Sequence, residues 1–313
     1  MTDVPVSGLH FRRAVDSDLS GILKLCEVAL RWPSDPRNEQ LFRWKHLANP
    51  FGPSPMWIAT AGDRIVGFRA MMPWRFKKKD GSSMRAVRAV DTATHPDFQR
   101  RGIFSALNTL AVEALTADGV DFVFNTPNAD SLPGYVKQGW VDLGPVPLMA
   151  RPAGLGGLID MTSARARATK WSGALSVGVE PSSINCLPVV PFGEISSETG
   201  HDFVLWRYSQ GPVSYRAIAE AGSGLIVRVR QRGRARELVV AHSWGTEVIV
   251  SQLLKQTLHA SGASYAVSTA RVAGRSAMLP MPAVGPHLTV RALATAPPRM
   301  NDFGFSLGDV ELF

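Results

Sequence analysis

The residues best suited to do chemistry lie between positions 90 and 140. Val90-Asp91-Thr92-Ala93-Thr94-His95-Pro96 reads as a β-branched strand that stops at a proline. Gln99, Arg100 and Arg101 then lead into Gly102. Beyond it, Ile103, Leu107, Leu110 and Ala114 recur on one face of a helix. A helix start presents unpaired backbone N–H groups and the positive end of its dipole. Here those groups belong to Ile103, Phe104 and Ser105, and together they make a seat for a phosphate or pyrophosphate. Gly102 lets the backbone come close to the anion, and Arg100 and Arg101 can add charge-assisted contacts.

A second polar cluster comes after a short strand that ends at Asn125. It runs Asn125-Thr126-Pro127-Asn128, then through Ser131 to Tyr135 and on to Gly139-Trp140. A phenol such as that of Tyr135 can donate a proton to a basic leaving group and stay neutral at pH 7.

Together these motifs resemble the GNAT superfamily of acyl-CoA-dependent N-acyltransferases. Its signature is Gln/Arg-x-x-Gly-x-Gly/Ala, here Gln99-x-x-Gly102-x-Phe104, with Phe104 where Gly or Ala is usual. The resemblance implies acetyl-CoA as co-substrate and no metal. It implies that the strand before the loop splays from its neighbour, so that the backbone of Thr92, Ala93 and Thr94 pairs with the pantetheine arm. Asn128 would hydrogen-bond the pantetheine, and Tyr135 would protonate the departing thiolate. Phe104 keeps its backbone N–H, so the pyrophosphate seat can survive, but it could reshape the loop packing.

The acceptor amine must be neutral to attack, so a proton acceptor is needed. Asp91 at the centre of the cofactor strand is one candidate, and Glu39 and His46 on an earlier helix are others. In some tandem relatives the terminal carboxylate reaches the site, which brings in Phe313. Arg43 and Trp44 stand where relatives line an acceptor pocket.

The elements that must position these groups alternate between strand and helix. Strands are expected at 9–14, 56–61, 65–72, 84–94, 121–125 and 141–150, and helices at 16–30, 37–47, 102–117 and 131–138. Residues 151–194 read as a linker with a possible helix from 158 to 171. The rest repeats the first half faintly. Trp44-Lys45 matches Trp206-Arg207, Ile58 to Gly62 matches Ile218 to Gly222, and 107–126 matches 250–269. In the second copy Glu237 to His242 would be the cofactor strand, but Ser243-Trp244-Gly245 replaces the anion loop. The expected fold class is therefore α/β (α+β). It comprises a catalytic GNAT-like domain at 1–150 and a degenerate one at 195–313, each a mixed, mostly antiparallel central sheet flanked by helices. The chain's last residues, 308–313, look strand-like. Tandem relatives such as mycothiol synthases and some aminoglycoside acetyltransferases suggest an amino sugar or aminoglycoside-like small-molecule amine as acceptor. A protein or peptide amine, or a non-enzymatic acyl-CoA sensor, is the alternative.

Composition narrows the field. No apolar run approaches the ~20 residues of a membrane span, and folded structure is expected from the first strand, with no signal peptide. Net charge is +8, but it is spread over both halves and lacks aromatic interleaving or a DNA-binding motif, which argues against nucleic acid. The densest basic stretch, Arg69 to Arg88, includes Lys77-Lys78-Lys79 before an Asp80-Gly81 turn. Cys26 and Cys186 form neither a disulfide framework nor a metal spacing, so a cytoplasmic monomer or homodimer is expected.

Overall fold

The computed structural model describes residues 8–33, 35–164, 166–184, 193–270, 278–281 and 285–311. Phe313 and Cys186 lie outside the described residues. The chain divides into two compact units. One comprises Met1–Arg75, Ser83–Leu143 and Leu288–Pro298; the other comprises Phe76–Ser82, Gly144–His287 and Arg299–Phe313.

The first unit keeps the expected alternation closely. Strand β1 (His10–Arg13) leads through a short 3-10 turn into α1 (Leu19–Ala29), and α2 (Arg37–His46) comes next. Then come β2 (Met56–Ala61), β3 (Arg64–Lys78) and β4 (Ser83–Thr94), linked as antiparallel neighbours through tight turns. Helix α3 (Ile103–Ala117) returns the chain to β5 (Phe122–Asn125), which lies parallel to β4. Helix α4 (Leu132–Lys137) and β6 (Val141–Pro145) complete the series. Strand order is β1-β2-β3-β4-β5-β14-β6, where β14 is His287–Ala292 near the chain's end. Antiparallel pairing of β14 with β5 places Thr289 opposite Asn125.

Alternation along the strands separates two cores, because successive side chains face opposite sides of a sheet. Ile22, Leu25 and Cys26 of α1 pack with Phe42, Ile58, Phe68 and Ala93 on one face. On the other, Ile103, Leu107, Ala111 and Leu115 of α3 pack with Trp57, Val66, Val87, Val123, Tyr135 and Trp140.

Several expectations change at the boundary. The strand expected at 141–150 is two strands, β6 and β7 (Leu148–Pro152), and β7 joins the second sheet. Gly144 at φ 87° and two prolines, Pro145 and Pro147, break the ladder between them. The helix expected at 158–171 is α5, Leu155–Ser163. Beyond it, Ala168, Gly173 and Val179 bridge to Arg232, Val229 and Ala217, so this stretch adds to a sheet of the second unit. The units therefore interleave in sequence: β7 belongs to the second and β14 to the first.

The second unit contains β8 (Ile195–Ser197), α6 (His201–Tyr208), β9 (Arg216–Glu220), β10 (Ser223–Arg232), β11 (Ala235–Trp244), α7 (Glu247–Ala260), β12 (Tyr265–Thr269), β13 (Leu279–Met281) and α8 (Leu307–Val310). Its sheet order is β13-β7-β12-β11-β10-β9, with β11 and β12 parallel and the other registered pairs antiparallel. Helix α7 covers one face through Val250, Leu253, Leu254 and Leu258. The terminus expected as a strand is instead the helical turn α8. Ser306 and Asp309 form a capping box, with the Ser306 N–H donating to the Asp309 carboxylate at 2.6 Å.

Candidate active site

Strand β4 and strand β5 pair over only three residues each, Ala86–Arg88 with Phe122–Phe124. Past Arg88, β4 continues to Thr94 while β5 stops at Asn125, so Thr92, Ala93 and Thr94 lie beyond their last registered partner on that side. Asp91 sits at the start of this splay with φ 45°, a left-handed conformation inside a strand. Such a residue bends the strand and re-aims the backbone of Thr92–Thr94 beyond it. At the far end, the His95 N–H donates to the Val66 carbonyl at 2.9 Å and keeps β4 fastened to β3.

The loop after β4 carries the residues expected to hold an anion. Pro96–Phe98 form a 3-10 turn that the His95 ring caps. Arg100 takes a left-handed φ of 61°, and Gly102, with φ 75°, is the N-cap of α3. No side chain caps this helix, and no heavy atom lies within 4 Å of where a Gly102 Cβ would stand. The first intrahelical bond is from the Ala106 N–H to the Gly102 carbonyl, so the N–H groups before it have no partner within the helix. Gln99, Arg100, Arg101 and Ser105 are at least partly exposed, and Arg101 lies over the Phe98 ring at 4.8 Å.

Gly67 on β3 is what lets α3 come this near the sheet. A Cβ there would collide with Ile103 and approach the Ala59 Cβ to 3.0 Å. Gly67→Ala is expected to lower stability by about 1–3 kcal/mol through overpacking and to weaken binding of acetyl-CoA, because Ile103 contributes a donor of the seat. Denaturant unfolding and calorimetric titration check the two effects separately.

Tyr135 is buried at 4% exposure on α4. Its ring meets Phe104 edge-on at 5.3 Å and Trp140 at 5.3 Å. Arg69, which is fully buried on β3, donates from Nη1 to the Tyr135 hydroxyl at 2.5 Å and also to the Thr92 hydroxyl. Its guanidinium stacks 5.2 Å from the Tyr135 ring and 5.7 Å from that of Phe104. Arg69 is the residue that sequence reasoning missed. The signal available was a lone arginine in an otherwise apolar strand segment, Gly67-Phe68-Arg69-Ala70-Met71. Because the phenol oxygen accepts from Arg69, its own proton remains for another acceptor.

Helix α4 is tied to α3 through Gln138, whose side chain bonds Asn108 and, at 3.2 Å, Ser105. Asn128 starts α4 locally: its Oδ1 accepts from the Ser131 N–H at 2.9 Å and from the Ser131 hydroxyl at 2.8 Å. That leaves the Asn128 amide nitrogen as its donor toward a ligand.

Asp91 points to the other face of the sheet. Its carboxylate takes an ion pair from Lys45 and lies 2.8 Å from His46 Nε2. A carboxylate only accepts, so His46 carries its proton on Nε2, and Nδ1 accepts from the Ser54 hydroxyl at 2.9 Å. Burial works against ionisation of Asp91, but Lys45 and the His46 hydrogen bond outweigh it and hold the carboxyl well below its usual range. Burial lowers the His46 pKa, against the pull of Asp91. Glu39 pairs with Arg43 at 2.8 Å on the exposed side of α2, and Trp44 is buried. Cys26 is a buried thiol whose pKa burial pushes up.

Residues 10–141 match the family described as an acetyltransferase (GNAT) domain. That stretch of the chain is a GNAT-type domain. Its fold resembles solved structures at low identity. One is a conserved protein of unknown function from Enterococcus faecalis: TM-score 0.66, 8% identity, 92% of this chain and 73% of that one. A GCN5-related N-acetyltransferase from Kribbella flavida gives TM-score 0.64 at 12% identity, over 94% of this chain and 73% of that one. Another from Anabaena variabilis gives 0.61 at 11%, over 91% and 73%. No curated protein matches the sequence significantly. The match to an acetyltransferase domain supports an acyltransferase. Phe104, unusual at its position in a GNAT loop, has a local explanation: its ring packs on Arg69 and Tyr135, and Gly134 of α4 leaves the room, a Cβ there standing 3.3 Å from the ring.

The second unit repeats the splay but not the seat. Strands β11 and β12 also pair over three residues, Glu237–Val239 with Tyr265–Val267. The register shifts between Ile226 and Val227 of β10 and leaves Ala241 as a bulged residue of β11. Here the chain's own tail lies against the diverging ends. Thr269 donates to the Phe305 carbonyl at 2.6 Å, and Gly308 packs without room for a Cβ between the Tyr208 hydroxyl and the Ala241 carbonyl. Arg207 donates to the carbonyls of Gly308 and Glu311, each at 2.8 Å. Among the described residues no cluster of three His, Cys, Asp or Glu could hold a metal, and no helix is long and apolar enough to cross a membrane.

Proposed function

We propose that the first unit transfers an acetyl group from acetyl-CoA to the primary amine of a small molecule, with an amino sugar or aminoglycoside-like compound as the acceptor class. One observation carries this reading. The open N-terminus of α3, the splayed end of β4 and the Tyr135 hydroxyl share one face and one end of the same sheet. The seat fits a pyrophosphate, the unpaired edge at Thr92–Thr94 fits the amides of a pantetheine arm, and Asn128 can donate to it. Arg100 and Arg101 would add charge at the diphosphate.

Transfer is direct. The neutral amine attacks the thioester carbonyl, the C–N bond forms, the C–S bond breaks, and the proton lost by the nitrogen passes through solvent to restore the Tyr135 phenol. Tyr135 gives its hydroxyl proton to the thiolate as it leaves. Backbone N–H groups at the splay polarise the carbonyl, and orientation of the two substrates supplies much of the acceleration. Glu39 is already paired with Arg43, and Phe313 lies outside the described residues.

The test is thiol release. The purified chain, given acetyl-CoA and a panel of amines, is expected to bind one acetyl-CoA per chain and to release CoA faster with amino sugars than with peptides. Binding without release on any amine would make it an acyl-CoA sensor. Faster release with peptide amines would make it a peptide acetyltransferase.

A further inference from the structure

Asp91 lies near the proposed reacting centre, yet its environment suits a different task from proton transfer. Its side chain turns away from Tyr135 and Thr92 to the face covered by α1 and α2. There it meets Lys45 and His46, with the buried Cys26 thiol of α1 nearby. Lys45 is 1% exposed and His46 fully buried, so both partners are fixed by packing. His46 is anchored again from behind, by the Ser54 hydroxyl at 2.9 Å and by its own carbonyl, which accepts from the Ser54 N–H at 2.8 Å. The backbone at Asp91 is left-handed, at φ 45°. Asp is among the few L residues that tolerate that conformation, and inside a strand it still costs energy that a held side chain can offset.

We infer that Asp91 is a positioning residue: α2, through Lys45 and the Ser54-buttressed His46, pins its carboxylate and so holds the left-handed bend that turns the backbone of Thr92–Thr94 toward the cofactor. This rests on the proposed binding of acetyl-CoA at the splay. A contrast within the chain supports it. In α6, Arg207 and Tyr208 stand at the repeat positions of Lys45 and His46. Arg207 bonds the carbonyls of the chain's tail, and Tyr208 packs against Gly308. The helix that braces the Asp91 bend in one unit braces the tail in the other.

Removing the Asp91 charge alone would strand a buried lysine, so the test uses paired variants. Lys45→Met with Asp91→Asn keeps an acceptor for the His46 N–H and a side chain that tolerates positive φ. Lys45→Met with Asp91→Ala removes the tether and leaves a strained alanine. Calorimetric titration with acetyl-CoA is expected to show the Asn pair within about threefold of the wild-type chain and the Ala pair weaker by about tenfold. The kcat of the two pairs should differ less than their affinities. Equal acetyl-CoA affinity for both folded pairs would overturn the inference. So would loss of turnover in both pairs with wild-type affinity, which would make Asp91 the base. Failure of the wild-type chain itself to bind acetyl-CoA would overturn the proposed function, and the positioning role with it.

Discussion

Replacing Tyr135 with Phe is expected to lower kcat by about a hundredfold or more, the scale of a lost general acid. Affinity for acetyl-CoA should stay within about twofold of its starting value. The substitution is conservative for packing. Phe keeps the edge-on contacts to Phe104 and Trp140 and the stacking under Arg69. It deletes one acceptor of the Arg69 guanidinium, which retains the Thr92 hydroxyl. Unfolding free energy should therefore fall by about 1–3 kcal/mol, the cost of a buried donor left short of a partner. A second measurement separates chemistry from packing. An acetyl thioester whose thiol is more acidic needs less help in leaving. With such a donor, the gap between the wild-type chain and Tyr135→Phe should shrink. Unchanged turnover with acetyl-CoA would mean that another group protonates the thiolate. A gap that does not depend on the leaving group would mean that Tyr135 only packs.

Much of this site was legible because its parts are local in sequence. Strand, proline, loop, Gly102 and amphipathic helix occupy consecutive residues, and each can be read from propensity and periodicity. The splay was expected only through resemblance, since nothing in Val90 to Thr94 announces a left-handed Asp91. Arg69 was read only as the start of a basic stretch. Its partners, Thr92 and Tyr135, lie 23 and 66 residues away, and pairing across a sheet is not written in a local pattern. The same limit explains the interleaved units. Residues 141–150 alternate well enough for one strand, and only tertiary pairing decides that β7 joins β12 while β14 fills the place beside β5. The short C-terminal stretch carried a strand-like apolar pattern. The Ser306–Asp309 capping box then won locally, and the tail's carbonyls found Arg207.

The second unit holds the largest expected stability effect. Glu237 is 2% exposed on β11 and gathers Arg230, Arg232 Nε at 3.0 Å and the Tyr265 hydroxyl at 2.7 Å. Arg230 also pairs with Glu311, which binds Arg228 at 2.8 Å, so the cluster joins the sheet to the tail. Glu237→Gln keeps the shape and removes the charge that compensates the half-buried guanidinium of Arg230. Breaking a buried pair from one side costs about 3–5 kcal/mol, and urea unfolding at pH 7 is expected to show a loss near the low end, since Glu311 still serves Arg230. The pH dependence supplies the control. Burial alone would raise the Glu237 pKa, but Arg230 and Arg232 hold it below its ordinary value of 4.5. The folded protein therefore binds this proton less readily than the unfolded chain. The stabilisation is fully present above pH 4.5 and fades as pH falls through the folded-state value. The gap between wild type and Glu237→Gln should accordingly narrow as pH falls below 4.5. A gap that stays constant down to acid pH would show that shape, not charge, is what Glu237 contributes.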